Sequence, residues 1–258
     1  MAITAKEVQE LRKATGAGMM DAKKALTEAD GDFDAAVQIL REKGLAKAAS
    51  RTDRENSEGL VAVASGDTGA SLVHLKSETD FAAKSEDFQA LVQELADLVL
   101  AKGSDAVSER ADELENLKLT VKENIDVGTV VRYEGGGDAV VDAYLHPGGK
   151  AGVLIEGTGV SQDVLHQIAL HVAFAKPTYL SRDEVPEEEI EREKAALLEI
   201  TKNEGKPEAA WPKIVEGRLN AWFGDQVLLE QGLLGDKETV QATIGDGTIT
   251  RFTLAQVG

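Results

Sequence analysis

The chain has 258 residues, enough for one or two units that each bury a core. Its 42% hydrophobic and 29% charged content excludes a disordered chain and a membrane-spanning one, and the absence of cysteine removes disulfides, thiolate nucleophiles and Cys-ligated zinc. The net charge of −18 is uneven: residues 1–51 hold nine Lys and Arg against eight Asp and Glu, leaving 19 against 38 for the rest, and so acidic a surface repels phosphate backbones and argues against direct nucleic-acid binding.

Residues Met1 to Ala14 carry charges at Lys6, Glu7, Glu10, Arg12 and Lys13 and no apolar h-region, so a cytoplasmic protein without a secretory signal is expected. No later segment has the run of apolar residues that a membrane span needs. Thr4 with Glu7 three residues on has the spacing of a capping box, and Val8 and Leu11 follow on one face of a first helix. Gly16-Ala17-Gly18 ends it and opens a second, whose apolar repeat is Met19, Ala22, Ala25, Leu26 and Ala29. Met20 falls instead with Lys23, Lys24 and Thr27 on the polar side. Two adjacent methionines cannot both face one core, so Met20 either folds back over a neighbouring helix end or waits for a partner. Asp30-Gly31-Asp32 makes the next turn, and a third helix through Phe33, Val37, Ile39 and Leu40 is expected to stop at Lys43-Gly44. Lys47 to Glu58 reads as a charged linker, helical at its start, with a domain boundary near residue 55.

Beyond it the apolar period switches to two and back, and one motif occurs twice. The first copy has a strand at Leu60 to Val63, a turn at Gly66 to Gly69, a strand at Ser71 to Leu75 and a helix through Phe88, Leu91, Leu95 and Leu98. The second has Val130 to Tyr133, a glycine turn at 135–137, strands at Ala139 to Tyr144 and Ala151 to Ile155, and a helix through Leu165, Ile168, Ala169 and Val172. The pattern predicts a duplicated α+β unit, antiparallel sheet backed by helix. Between last strand and helix the second copy passes only Glu156 to Gln162, whereas the first inserts Ser77 to Glu86, a loop the fold does not need. Phe81 stands in that insertion between Asp80 and Lys84, either as a staple on Phe88 or Leu91 or as a group for something outside the fold.

After Leu180 a proline-led acidic helix start at Arg182 to Glu189 leads into the narrow stripe Ile190, Leu197 and Ile200. A turn at Gly205-Lys206-Pro207 returns the chain through Ile214, Val215, Leu219, Trp222 and Phe223. These two helices make either a coiled-coil arm or a hairpin lying flat on the core. Trp211-Pro212 leaves the start of the returning helix uncertain. A short helix after Thr239, a Gly245-Asp246-Gly247 turn and a last strand from Thr248 to Leu254 complete the pattern.

Enzyme signatures are missing: there is no phosphate loop, nucleophile elbow, dinucleotide fingerprint or paired metal-binding histidines. His166 and His171 share a helix five residues apart and so turn from one another, one packed and one solvated. His74 lies inside a strand as a packed residue. His146, in the rigid turn His146-Pro147-Gly148-Gly149-Lys150, is either presented to a partner or incidental to a turn that needs its proline and glycines for shape.

The run from Leu11 to Leu26, Thr79-Asp80-Phe81, and Lys213-Ile214-Val215-Glu216-Gly217-Arg218-Leu219 together resemble, in order and over nearly the whole chain, the bacterial elongation factor Ts family, the guanine-nucleotide exchange factors of elongation factor Tu. That resemblance implies an N-terminal three-helix ubiquitin-associated-like domain and linker over residues 1–55, one core subdomain at 56–127, and a second at 128–258 carrying a coiled-coil hairpin at about 183–225. It implies a protein that binds elongation factor Tu in its GDP-bound and nucleotide-free states, promotes GDP release without covalent chemistry, and needs no cofactor or metal of its own. Arg12, Met19 and Met20 are then the expected contacts of the first domain with the partner's GTPase domain, and His146 a contact through the second half of the core. Thr79, Asp80, Phe81 and Ala82 match the element that the family inserts beside the partner's Mg2+ and phosphate site. The rival reading is an adaptor that acts through the first domain alone, in which case that fragment would carry the full activity.

Overall fold

The computed structural model describes residues 3–49 and 51–258. In chain order the elements are helices α1 (Ala5–Thr15), α2 (Met19–Glu28) and α3 (Phe33–Ala49), strands β1 (Glu58–Gly66) and β2 (Gly69–Ser77), helices α4 (Asp80–Ala83), α5 (Glu86–Lys102) and α6 (Ala111–Val121), and strands β3 (Asp126–Glu134), β4 (Ala139–Leu145) and β5 (Ala151–Thr158). Helices α7 (Gln162–Ala175), α8 (Glu187–Asn203), α9 (Trp211–Gln226) and α10 (Val240–Ile244) and strand β6 (Thr248–Gln256) follow. The strands form two three-stranded sheets in the orders β1-β2-β3 and β4-β5-β6, which makes the fold α+β. Two compact units result, one of Met1–Ala62, Val73–Val130 and Gln256–Gly258, the other of Val63–Leu72 and Val131–Ala255.

In the first unit the capping box forms as its spacing predicts: the Glu7 amide donates to Thr4 Oγ1 at 3.3 Å and the Thr4 amide to Glu7 Oε2 at 2.7 Å. The Thr4 amide, together with the Thr4 hydroxyl that donates to Glu7 Oε2 at 2.8 Å, holds the Glu7 carboxyl below its usual pKa. Gly16 ends α1 in the left-handed region at φ 66°. Val8, Leu11, Ala22, Ala25, Leu26 and Ala36 close a small core among the three helices. The predicted stop at Lys43-Gly44 is corrected, because α3 runs through both residues to Ala49. Gly44 lies against α6, where a Cβ would come within 2.6 Å of the Leu119 side chain, so the glycine serves a close helix approach and not a terminus. Arg41 reaches Asp112 of α6 at 3.1 Å in the same packing. Phe88, Leu91, Val92 and Leu95 of α5 are buried, and all but one residue of β2 is buried.

Strand β3 was expected beside β4 in the second copy, but it lies beside β2. A Cβ at Gly69 would sit 2.0 Å from the Tyr133 carbonyl oxygen, an approach that only glycine at φ 128° permits, and the first sheet gains its third strand there. The second sheet takes the C-terminal strand instead.

In the second unit β4 and β5 pair antiparallel, from Ala139 opposite Thr158 to Leu145 opposite Gly152. Helix α7 lays Leu165, Ile168, Ala169 and Val172 on Val153 and Ile155, and Leu228, Val240 and Ile249 close the same core. Helices α8 and α9 pair as a hairpin whose base is the cluster Val185, Phe223 and Val227. Ile200, expected in its stripe, is exposed, and Thr201 takes the inward place. The Thr201 hydroxyl donates to the Leu197 carbonyl at 2.7 Å and accepts from Arg218 at 3.2 Å, so this end is joined by polar contacts. Trp211-Pro212 starts α9 without cost, since proline there occupies the first turn, where a helix has no use for its amide. The Trp211 indole N–H also donates to the Lys206 carbonyl at 2.8 Å.

Candidate functional site

The insertion after β2 folds into a single clamped turn of helix. Thr79 caps α4, its hydroxyl oxygen accepting the Ala82 amide at 3.3 Å. The same residue is held from the far side by the Glu123 carboxylate, which accepts the Thr79 hydroxyl at 2.6 Å and the Thr79 amide at 3.0 Å. Ser77 donates to the Thr79 carbonyl at 2.9 Å, and Ser85 closes the other end by donating to the Ala82 carbonyl at 2.7 Å. Glu78, next in the chain, accepts the Asn124 amide at 2.6 Å, while the Asn124 side chain donates to the Arg54 carbonyl at 2.7 Å. With its ends fixed, the turn sends Ala82 and Ala83 inward at 6% and 0% exposure and Phe81 outward at 82%. Phe81 is therefore no staple. Phe88, fully buried at the start of α5, holds the core place that Phe81 could have taken. Asp80 pairs with Lys84 at 2.5 Å one helical turn on, and this hydrogen bond and charge raise the Lys84 pKa.

Met20 at the start of α2 is exposed, as its place on the polar side predicts, and so is Arg12 in the last turn of α1. Met19 departs from expectation: it was placed on the apolar face, yet it is half exposed. It is the first residue of α2, where the helical Cα–Cβ bond tilts toward the N-terminus and the residue before it, Gly18, has no side chain to cover it. The two methionines and Arg12 thus flank one glycine turn, and all three face solvent.

In the second unit, His146 is exposed in its turn, with Nδ1 3.2 Å from the Tyr144 hydroxyl. Tyr144 stands edge-on to both His146 and His166, and His166 Nδ1 lies 2.9 Å from Asp142. Tyr144 and His146 border an open, mainly apolar groove of about 540 Å³, completed by Leu170, Ala173, Phe174 and Leu234 with Lys176 as its one charged lining residue. Phe174 is 76% exposed and Leu234 half exposed. Phe174 had a readable signal, since an aromatic at that position falls off the stripe 165, 168, 169 and 172 that α7 buries. Leu234 had one of the same kind as Met20: Leu233-Leu234 is an adjacent pair in a glycine-flanked turn, and only Leu233 goes inward. Glu123, which orders the whole of α4, gave no sequence signal.

Among the described residues, no group of three or more His, Cys, Asp or Glu side chains is placed to hold a metal ion, and no helix is long and apolar enough to cross a membrane. What stands on the surface is a set of exposed apolar side chains on rigid supports, an arrangement suited to gripping another protein.

Residues 78–258 match the family model described as Elongation factor TS. Curated relatives named Elongation factor Ts include that of Cutibacterium acnes, 45% identical with 97% of this chain and 96% of that protein covered. Those of Mycobacterium avium, 43% identical, and Clavibacter michiganensis, 41% identical, each align over 99% of this chain and 98% of the relative.

Proposed function

Because the chain belongs to the elongation factor Ts family of translation elongation factors, we propose that it binds elongation factor Tu·GDP and drives release of the nucleotide, with Phe81 as the displacing group. One observation carries this reading: an aromatic ring at 82% exposure, on a helical turn that Thr79, Glu123 and Ser85 fix at both ends. A free ring of that kind stays in unfavourable contact with water, and burying it in a partner returns about 1.5–3 kcal/mol. The clamp makes that gain available without the cost of ordering a loop at the moment of binding.

A wedge entering beside the partner's Mg2+ site displaces the side chains that hold the ion, and Asp80 brings a carboxylate into the same place. With the ion dislodged, the phosphates of GDP lose their main counter-charge and the nucleotide leaves. Linkage then requires reciprocity: if the factor binds empty elongation factor Tu more tightly than the GDP form, GDP binds the complex more weakly by the same factor. Met19, Met20 and Arg12 supply a second contact and the groove at His146, Phe174 and Leu234 a third, and these hold the pair together while the site is empty. The chain itself makes and breaks no covalent bond.

The test is stopped-flow release of fluorescent GDP from elongation factor Tu, with and without this protein, over a series of Mg2+ concentrations. Release should be strongly accelerated at saturating Mg2+ and much less so after chelation. The double variant Asp80→Ala/Phe81→Ala should be defective in Mg2+ and lose most of its deficit in EDTA, where the step it cannot perform has been done chemically. A deficit of equal size with and without the ion would exclude ion dislocation as the role of α4.

A further inference from the structure

The turn that carries Leu234 is held from below by a buried histidine. His171 of α7 is 2% exposed, and its Nδ1 accepts the backbone N–H of Leu234 at 3.1 Å. A backbone amide can only donate, so Nδ1 carries no proton and the ring is the neutral Nε2–H tautomer. Nε2 lies 2.9 Å from Oε1 of Gln231, and the Gln231 amide nitrogen donates in turn to the Asp225 carbonyl at 2.7 Å. A relay of side chain to side chain to backbone thus fixes the ring.

What the ring holds is a strained residue. Leu234 has φ 52° and ψ 28°, the left-handed region that a bulky side chain rarely enters. Gly232 and Gly235 flank it, the first so close to the Asp236 carbonyl oxygen that a Cβ there would lie 2.0 Å away. Leu233 turns into the core, and Leu234 turns out beside Phe174 at the edge of the groove. Backbone strain of this kind persists only where the surroundings over-determine it, and it gathers at functional sites.

We propose that His171 is a positioning residue for partner binding: by accepting the Leu234 N–H it locks the strained turn in the conformation that sets Leu234 beside Phe174 to complete the docking groove. An apolar residue of the same size would fill the space but could not aim an acceptor at that amide. The inference rests on reading the groove as a surface for elongation factor Tu, and the test separates the two.

The experiment uses the full chain and nucleotide-free elongation factor Tu, with calorimetric affinity and hydrogen exchange at the Leu234 amide as paired readouts. His171→Gln keeps a polar group near Gln231 but removes the acceptor at the Nδ1 position, and His171→Asn places its carboxamide oxygen there. His171→Gln should bind about tenfold more weakly and exchange the Leu234 amide about tenfold faster, the scale of one buried hydrogen bond lost. His171→Asn should recover most of both. Equal losses in the two variants, or wild-type affinity in His171→Gln, would overturn the positioning role. Gln231→Met gives a second route if His171→Gln folds poorly: it removes the acceptor that pins the Nε2–H, so the ring is free to turn or to carry its proton on Nδ1, and it should speed Leu234 exchange and weaken binding together. Unchanged exchange in Gln231→Met would also overturn the proposal. Phe174→Ala and Leu234→Ala test the groove itself. If they bind as the wild type does, the docking reading fails and the proposal falls with it; if they weaken binding while His171→Gln does not, the proposal alone fails.

Discussion

Replacing Phe81 by alanine asks the fold and the partner different questions. In the free chain the ring is 82% exposed, so its removal takes little apolar surface out of burial, and alanine is the better helix former in α4. The expected change in stability is within about 0.5 kcal/mol, or roughly 1–2 °C in melting temperature for a chain of this length. In the complex the same deletion forfeits the burial of a phenyl ring, about 1.5–3 kcal/mol, so the second-order rate constant for GDP release should fall about ten- to hundredfold. Phe88→Ala is the internal comparison. Phe88 is fully buried seven residues on, and its truncation should cost about 3–5 kcal/mol of stability while leaving exchange per folded molecule nearly intact. Differential scanning calorimetry and stopped-flow release of fluorescent GDP on the same samples read both quantities. A large fall in melting temperature for Phe81→Ala, with exchange per folded molecule unchanged, would refute the reasoning and return the ring to the core.

Met20→Asp places a charge on an exposed apolar knob and should weaken complex formation without altering the helical circular dichroism; unchanged calorimetric affinity would remove Met20 from the interface. Glu123→Ala should lower exchange severalfold although Glu123 is not placed in the interface, because Thr79 loses two hydrogen bonds to a carboxylate; stopped-flow release checks this against Thr79→Val, which should reproduce part of the loss. Burial lowers the His171 pKa below 6.5, against the opposing pull of its Gln231 hydrogen bond. The unfolded chain therefore takes up this proton first: the ring's contribution to stability is full above pH 6.5 and is lost as pH falls through the lowered folded value. Urea titrations across that range should show the slope in the wild type and a shallower one in His171→Asn.

Much of the fold could be read from local rules. The Thr4–Glu7 box, the Gly16 terminus, the stripe of α7 and the final helix and strand each rest on a few neighbouring residues, and the chain obeys them. The misreadings share one cause, which is that a partner distant in sequence set the outcome. Gly44 looked like a stop because its neighbour Leu119 lies 75 positions on, and β3 looked like part of the second copy because nothing local shows that Gly69 lets it approach β2. The exposed groups divide in the same way. Phe81 and Met20 were visible as apolar residues out of pattern, whereas Glu123 and His171, which fix other residues in place, differ from ordinary polar side chains only through contacts made across the fold.

Helix α6 has a consequence for the grip on a partner that we propose for Met20 and Phe81. At one side it meets α3 through Gly44 against Leu119 and Arg41 against Asp112; just past its end, Glu123 seizes Thr79. The helices that present Met20 and the turn that presents Phe81 are thus gauged against a single rod. Two contacts on a floppy tether would each meet the partner nearly as strangers, at whatever effective concentration the tether allowed. Two contacts gauged to one rod behave as the jaws of a caliper: once the first has seated, the second is already at the right opening, and a partner surface of any other span meets only one of them.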